Sequence, residues 1–295
     1  MTEIHPTAFV DPQAELGRDV IIGPFCYIGP GVILGDGCRL IAHVTLLGPA
    51  EFGPRNTFYP FATLGAAPQD LKYKGGPTRL IVGADNIFRE QATAHRGTEV
   101  DRRSEGITRI GNHNLLMVGV HVAHDSDIGN DIILANYVQI AGHVRIEDRV
   151  VVGGASAMHH FVTVGRAAYV GGMTRVTHDV PPYVKVLGYD QEVRAVNVAG
   201  LQRWNVPAES IAALRQAFKL LYARRRGCSP GRTQEALREI ESNGLVHDEH
   251  VRYLVEFLRR KLEVGVFGRV RERDRRDTCD DRASFYRARL QGGSQ

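Results

Sequence analysis

The chain has 295 residues, 43% of them hydrophobic and 24% charged, and a net charge of +4. This composition is that of a globular protein long enough for two domains, with no apolar run approaching the ~18–20 residues of a membrane span. The mild positive charge suits an acidic partner and gives no expectation of nucleic acid. No basic stretch followed by an apolar run opens the chain, and Cys26, Cys38, Cys228 and Cys279 show no pairing framework, so a cytoplasmic protein with reduced thiols is expected.

From Ile4 every sixth residue is apolar: Val10, Leu16, Ile22 and Ile28, and so on to Leu64. The register resumes from Ile110 through Leu116, Val122 and Ile128 to Val176. A six-residue period fits neither a helix nor an isolated strand. It fits a left-handed parallel β-helix of hexapeptide repeats, in which three short strands make one coil and the sixth-residue side chains stack inward. Most early repeats place Gly after the aliphatic residue (Gly17, Gly23, Gly29, Gly35), which reads as the φ > 0 residue of a tight corner. Two interruptions are expected to bulge from the prism. One spans Ala67–Thr78 and leaves Val82, Phe88 and Ala94 in phase; the other spans Glu99–Gly106 and shifts the phase. Long surface insertions cost little in closure entropy and often carry binding residues.

The regular pattern ends at Asp179-Val180-Pro181-Pro182. The β-helix is therefore placed at 1–188 and a C-terminal α-helical domain at 189–265. Pro207 precedes Ile211, Leu214, Phe218 and Leu221 at helical spacing. A shorter helix is read over Gln234–Ser242, and another through Val251, Leu254, Phe257, Leu258 and Leu262. Residues 266–295 read as a polar tail, weakly ordered or peripheral. A terminal helical unit would cover the open end of the solenoid.

The densest reactive cluster is His121-Val122-Ala123-His124-Asp125. Coils of 18 residues stack Asp125 under His143, with His159 and His160 one coil further, so five histidines share one face. A histidine beside a carboxylate suits general-base work. Two other readings stand beside it: histidines that only cap corners, and a zinc site of the kind some trimeric β-helix carbonic anhydrases hold between subunits.

In this cluster and several other segments the chain resembles the acyl-(acyl-carrier-protein)–UDP-N-acetylglucosamine O-acyltransferases of lipid A synthesis. The likeness rests on Gln69-Asp70-Leu71-Lys72-Tyr73, His95-Arg96-Gly97-Thr98, His121 to Asp125, Ala141-Gly142-His143, Asp179 to Tyr183 and Asn197 to Leu201. The resemblance implies His124 as general base toward the sugar 3-hydroxyl, Asp125 as its paired carboxylate and the Gly142 N–H as oxyanion donor. It implies substrate contacts at Asp70, Lys72, His95, His121, His143, His159 and His160, and nucleotide contacts at Asn197 and Arg203. Gly172, with Met173 beside it, would end the acyl groove. The implied enzyme is a homotrimer using acyl-carrier protein and UDP-N-acetylglucosamine, with no cofactor, no metal and no membrane insertion. An N-acyltransferase acting on a 3-amino UDP-sugar is the near variant. His160, Ala199, Trp204 and Gly119 depart from the family pattern, as do the insertion at Asp101–Glu105 and the tail. None of these departures is expected to touch the base, its carboxylate or the glycine.

Overall fold

The computed structural model describes residues 1–99, 103–222, 230–265 and 267–274. Three sheets of eleven, nine and eight short strands form the faces of a left-handed prism. Each coil contributes one strand to each face, and register runs in steps of 18, as in Ile21 over Arg39 and Tyr27 over Thr45. At the two interruptions the step lengthens, so that Thr57 pairs with Ile87 and Ile87 with Leu115. The coils resume their pairing behind both interruptions.

The sixth-residue side chains fill the interior. Phe52, Phe58, Phe88, Leu116 and Val122 are at most 1% exposed. Phe58 and Phe88 stack at 5.2 Å, with Phe52 edge-on at 5.4 Å. Each such burial contributes roughly 1.5–3 kcal/mol. Only the first coil departs from the pattern: Ile4 is 48% exposed because no coil lies beneath it.

Two features differ from expectation. Left-handed φ occurs three residues after the inward position, and mostly on non-glycine residues such as Phe25, His43, Asp125 and His143. The glycines that follow the inward residue serve close approach instead: a Cβ at Gly23 would lie 1.9 Å from the Ile41 carbonyl oxygen of the next coil. The second feature is a buried asparagine ladder. Asn86 Nδ2 donates to Asn56 Oδ1 at 3.0 Å, Asn114 N donates to Asn86 Oδ1 at 2.9 Å, and Ile132 N donates to Asn114 Oδ1 at 2.8 Å. The ladder joins the coils on either side of both insertions with its polar atoms satisfied.

The last parallel strand, Val184–Leu187, pairs antiparallel with Glu192–Val196. The chain then enters helices α1 (Val198–Arg203), α2 (Ala208–Tyr222), α3 (Pro230–Ser242) and α4 (Glu249–Val264). The short α1 has no counterpart in the sequence reading; it starts where the Asn197 side chain accepts from Gly200 N. Asp248 caps α4 by accepting from His250 N and Val251 N. Buried Ile211, Leu214, Val251, Leu254 and Leu258 form a second core that reaches the prism at Ala167 and Tyr183. Part of the polar tail is packed rather than peripheral. Val270 N and Thr163 N donate to the two oxygens of the Asp179 carboxylate, and Arg269 pairs with Glu272 while donating to Thr177 O. Residues 275–295 of that tail lie outside the described residues, as do Cys228 and Cys279. Cys26 and Cys38 are buried and free, and burial raises both thiols above their ordinary pKa.

Candidate active site

His124 and Asp125 sit at the corner that follows the strand His121–Val122. Asp125 takes the left-handed corner conformation (φ 59°), which Asp tolerates better than most residues, and is 1% exposed. Its Oδ2 accepts from His124 Nδ1 at 2.8 Å and from Thr98 Oγ1 at 2.7 Å. Its Oδ1 accepts from Thr98 N at 2.9 Å and from Ser104 Oγ at 2.5 Å. Burial by itself would raise the Asp125 pKa. The hydrogen bond from His124, the nearby His143 and the two hydroxyls outweigh it and hold the carboxyl below its ordinary value. An ionised carboxylate only accepts, so His124 Nδ1 carries the proton and Nε2 keeps a free lone pair. That Nε2 lies 3.9 Å from Asp70 Oδ2, because the 67–78 loop folds back over the corner. Asp70 Oδ1 accepts from Lys72 N at 3.0 Å, which fixes the turn that presents it.

Gly142 stacks one coil beyond His124. A Cβ built on it would lie 2.4 Å from His124 Cε1, so the imidazole rests directly on the glycine. Its neighbours Ala141 and His143 donate to Met158 O and His124 O, while the Gly142 N–H takes no part in that ladder. His143 stands edge-on to His124 at 5.1 Å and stacks on Phe161 at 4.4 Å. His159 and His160 lie ring against ring at 3.8 Å, and His159 Nδ1 donates to His160 O. On the other side, His121 Nδ1 bonds Thr93 Oγ1 at 2.8 Å, with His95 at 4.8 Å from the His121 ring. The expected histidine face is thus assembled, with His95 added to it.

The His95 ring is buried and its Nδ1 has no hydrogen-bond partner among the described residues. Burial, reinforced by His121 and His124, pushes its pKa down to about 4. A histidine depressed from 6.5 to about 4 leaves stability intact above pH 6.5 and loses it as pH falls toward 4, by about 3 kcal/mol. His95→Gln should remove that part of the acid sensitivity. Urea denaturation at pH 7 and pH 4.5 measures it, and equal losses in both proteins would refute the assignment.

One expectation needs correction. The insertion does touch the site: Ser104, within Asp101–Glu105, donates to Asp125. Asn197 and Arg203 lie apart from His124 within one chain. They line a separate cavity of about 360 Å³ with Asp131, Arg149, Lys185 and Trp204, on the eleven-stranded face rather than at the histidine corner. Both ends of the Asn197 amide are engaged within the chain, accepting from Gly200 N and donating to Ala167 O. Trp204 carries the Arg149 guanidinium over its ring at 4.6 Å. Gly172 is exposed, and a Cβ there would meet only Gly154 backbone atoms, the nearer at 3.3 Å. Met173 occupies the adjoining corner, 79% exposed. Thr98, Ser104 and Thr93 were missed as site residues: hydroxyl residues carry no spacing signal, and only the coil stacking reveals their targets.

Asp70, His124 and His143 each offer one ligand-type atom, all within 4.8 Å of one another. His124 Nδ1 is committed to Asp125, so Nε2 is the ring nitrogen turned toward Asp70. A histidine held by a buried carboxylate and resting on a glycine, on a hexapeptide prism, is an arrangement that suits a hexapeptide-repeat acyltransferase.

The comparisons agree. Residues 179–266 match the family model described as UDP N-acetylglucosamine O-acyltransferase, domain 2, and residues 13–48 match that for bacterial transferase hexapeptide repeats. The acyl-(acyl-carrier-protein)–UDP-N-acetylglucosamine O-acyltransferase of Saccharophagus degradans is 47% identical over 76% of this chain and 86% of its own. That of Stutzerimonas stutzeri is 40% identical over 84% and 93%. The structure of LpxA from Acinetobacter baumannii superposes with a TM-score of 0.80 at 39% identity, covering 87% of this chain and 96% of that one. The chain belongs to the acyl-(acyl-carrier-protein)–UDP-N-acetylglucosamine O-acyltransferase family. That membership favours the O-acyl reading over both the N-acyl and the zinc readings.

Proposed function

We propose that the protein transfers an (R)-3-hydroxyacyl chain from acyl-carrier protein to the 3-hydroxyl of UDP-N-acetylglucosamine, the first step of lipid A synthesis. The observation that carries this reading is the His124 imidazole, its Nδ1 fixed by Asp125 and its ring laid on Gly142. His124 Nε2 takes the proton of the sugar hydroxyl as its oxygen attacks the thioester carbonyl. Asp125 stabilises the imidazolium, and the Gly142 N–H receives the charge that develops on the carbonyl oxygen. As the tetrahedral intermediate collapses, the carbon–sulfur bond breaks and the imidazolium returns its proton to the departing thiol. Asp70, Lys72, His121, His143, His159 and His160 surround the acceptor. The direct test is an acyl-transfer assay with defined acyl-carrier proteins and UDP-sugars. Absence of transfer to UDP-N-acetylglucosamine, or stoichiometric zinc lost together with activity, would overturn the reading.

The site is completed by a second copy. The Asn197–Arg203 cavity and the histidine corner lie on different parts of one prism, so a neighbouring chain in a homotrimer brings the nucleotide-binding cavity to the base. Exposed Arg215, Lys219, Arg252 and Arg260 on α2 and α4 offer a surface for the acidic carrier protein. Among the described residues no helix is long and apolar enough to cross a membrane. An active monomer in sedimentation would reject the shared site.

Gly172 leaves the acyl groove open, so a longer donor is preferred, about fourteen carbons; each buried methylene is worth roughly 0.8 kcal/mol. Gly172→Met should shift preference toward a ten-carbon donor. An unchanged ratio between ten- and fourteen-carbon donors would move the stop to Met173.

A further inference from the structure

A carboxylate offers about four lone-pair sites, and at Asp125 all four are filled. Oδ2 takes His124 Nδ1 and Thr98 Oγ1; Oδ1 takes Thr98 N and Ser104 Oγ. Thr98 belongs to the coil wall. Ser104 belongs to the insertion between Glu99 and Gly106, outside the hexapeptide pattern, yet it is 5% exposed and makes the shortest of the four bonds, at 2.5 Å. The insertion aims this residue with some care. The Ser104 hydroxyl oxygen accepts from Gly106 N at 3.3 Å, its carbonyl accepts from Arg109 Nη1 at 3.3 Å, and Gly106 takes a left-handed φ of 75° that turns the chain back into the wall.

We infer that Ser104 is a positioning residue for acyl transfer: its hydroxyl, delivered by the 99–106 insertion, locks the Asp125 carboxylate against His124 and sets how strongly that carboxylate supports the imidazolium. The inference rests on His124 acting as the base. A buried carboxylate that loses one of its donors turns to find another, and turning Asp125 disturbs the oxygen that His124 Nδ1 holds. Removing the short bond therefore loosens the carboxylate from His124 and weakens its support of the imidazolium. The titratable groups facing the pair are Asp70 from the 67–78 loop, His143 from the following coil, His95 from the preceding coil and His121 from the same coil.

Ser104 is buried against Asp125, which separates this role from binding. Ser104→Ala should lower kcat about tenfold, the scale of one charge-assisted hydrogen bond, with KM for both substrates unchanged. It should also move the acid limb of the kcat/KM profile downward by roughly half a pH unit, because the imidazolium loses support. Ser104→Thr keeps the hydroxyl and should restore both. Ser104→Cys, similar in shape but a weak donor, should share the loss and carries the test if the alanine variant does not fold. A wild-type kcat and pH profile in the alanine or cysteine variant overturns the inference. So does a loss that accompanies a lowered melting temperature and is not rescued by threonine, which is a purely structural role. His124→Ala in the same assay distinguishes the two levels: if it retains transfer, the base assignment fails, and if only the Ser104 variants are silent, this inference fails alone.

Discussion

His124→Ala is expected to reduce acyl transfer by about 10²–10⁴-fold while the protein stays folded. The fold should survive because the prism interior is filled by the sixth-residue side chains, and His124 projects from a corner outside them. Removing the imidazole takes away the nitrogen that the proposed mechanism uses as base, and leaves Asp125 still bonded to Thr98 and Ser104. The carboxylate cannot replace the base, since its oxygens are engaged and buried. Turnover assayed alongside circular dichroism and a melting curve decides the matter: wild-type transfer by a folded variant would remove His124 from the mechanism.

Gly142→Ala should cost about as much by a different route. A methyl group there would stand 2.4 Å from His124 Cε1 and 2.7 Å from Nε2. The ring cannot swing away freely, because Asp125 holds Nδ1 at 2.8 Å. Either that bond stretches or the coil shifts, and both displace Nε2 and the Gly142 N–H from a common substrate. A misplacement of about 1 Å at a reacting centre can cost about 10²-fold. Single-turnover rates at saturating substrate should fall by that order with little change in binding. A wild-type rate would show that the site has slack the geometry denies.

The prism was legible because each inward residue answers only to its own coil, so the six-residue spacing from Ile4 to Leu64 reports local geometry directly. The cluster at His121 to Asp125 was legible for the same reason: adding 18 to a residue number predicts what stacks on it. What escaped depends on chain paths that numbers do not encode. Glycine after each inward residue suggested the wrong corner position, because close packing and left-handed φ favour the same amino acid. The ladder of Asn56, Asn86 and Asn114 was hidden because the insertions stretch its spacing to 30 and 28 residues. Ser104 was hidden because the route of an insertion is a tertiary fact. The short helix α1 was hidden because six residues carry too little periodicity to read.

The coil geometry also dictates how such a protein can measure a molecule. Corner positions such as Gly119, Tyr137, Ala155 and Met173 recur every 18 residues along one edge, and successive coils stand ~4.8 Å apart. A groove running along that edge is therefore graduated like a ladder with fixed rungs. Relocating its stop means choosing another rung, not sliding a wall by fractions of an ångström. Specificity built this way changes in jumps of several methylenes at once. A single substitution at one rung, whether a large side chain gained or lost, is enough to turn one chain-length preference into another without disturbing the chemistry two coils away.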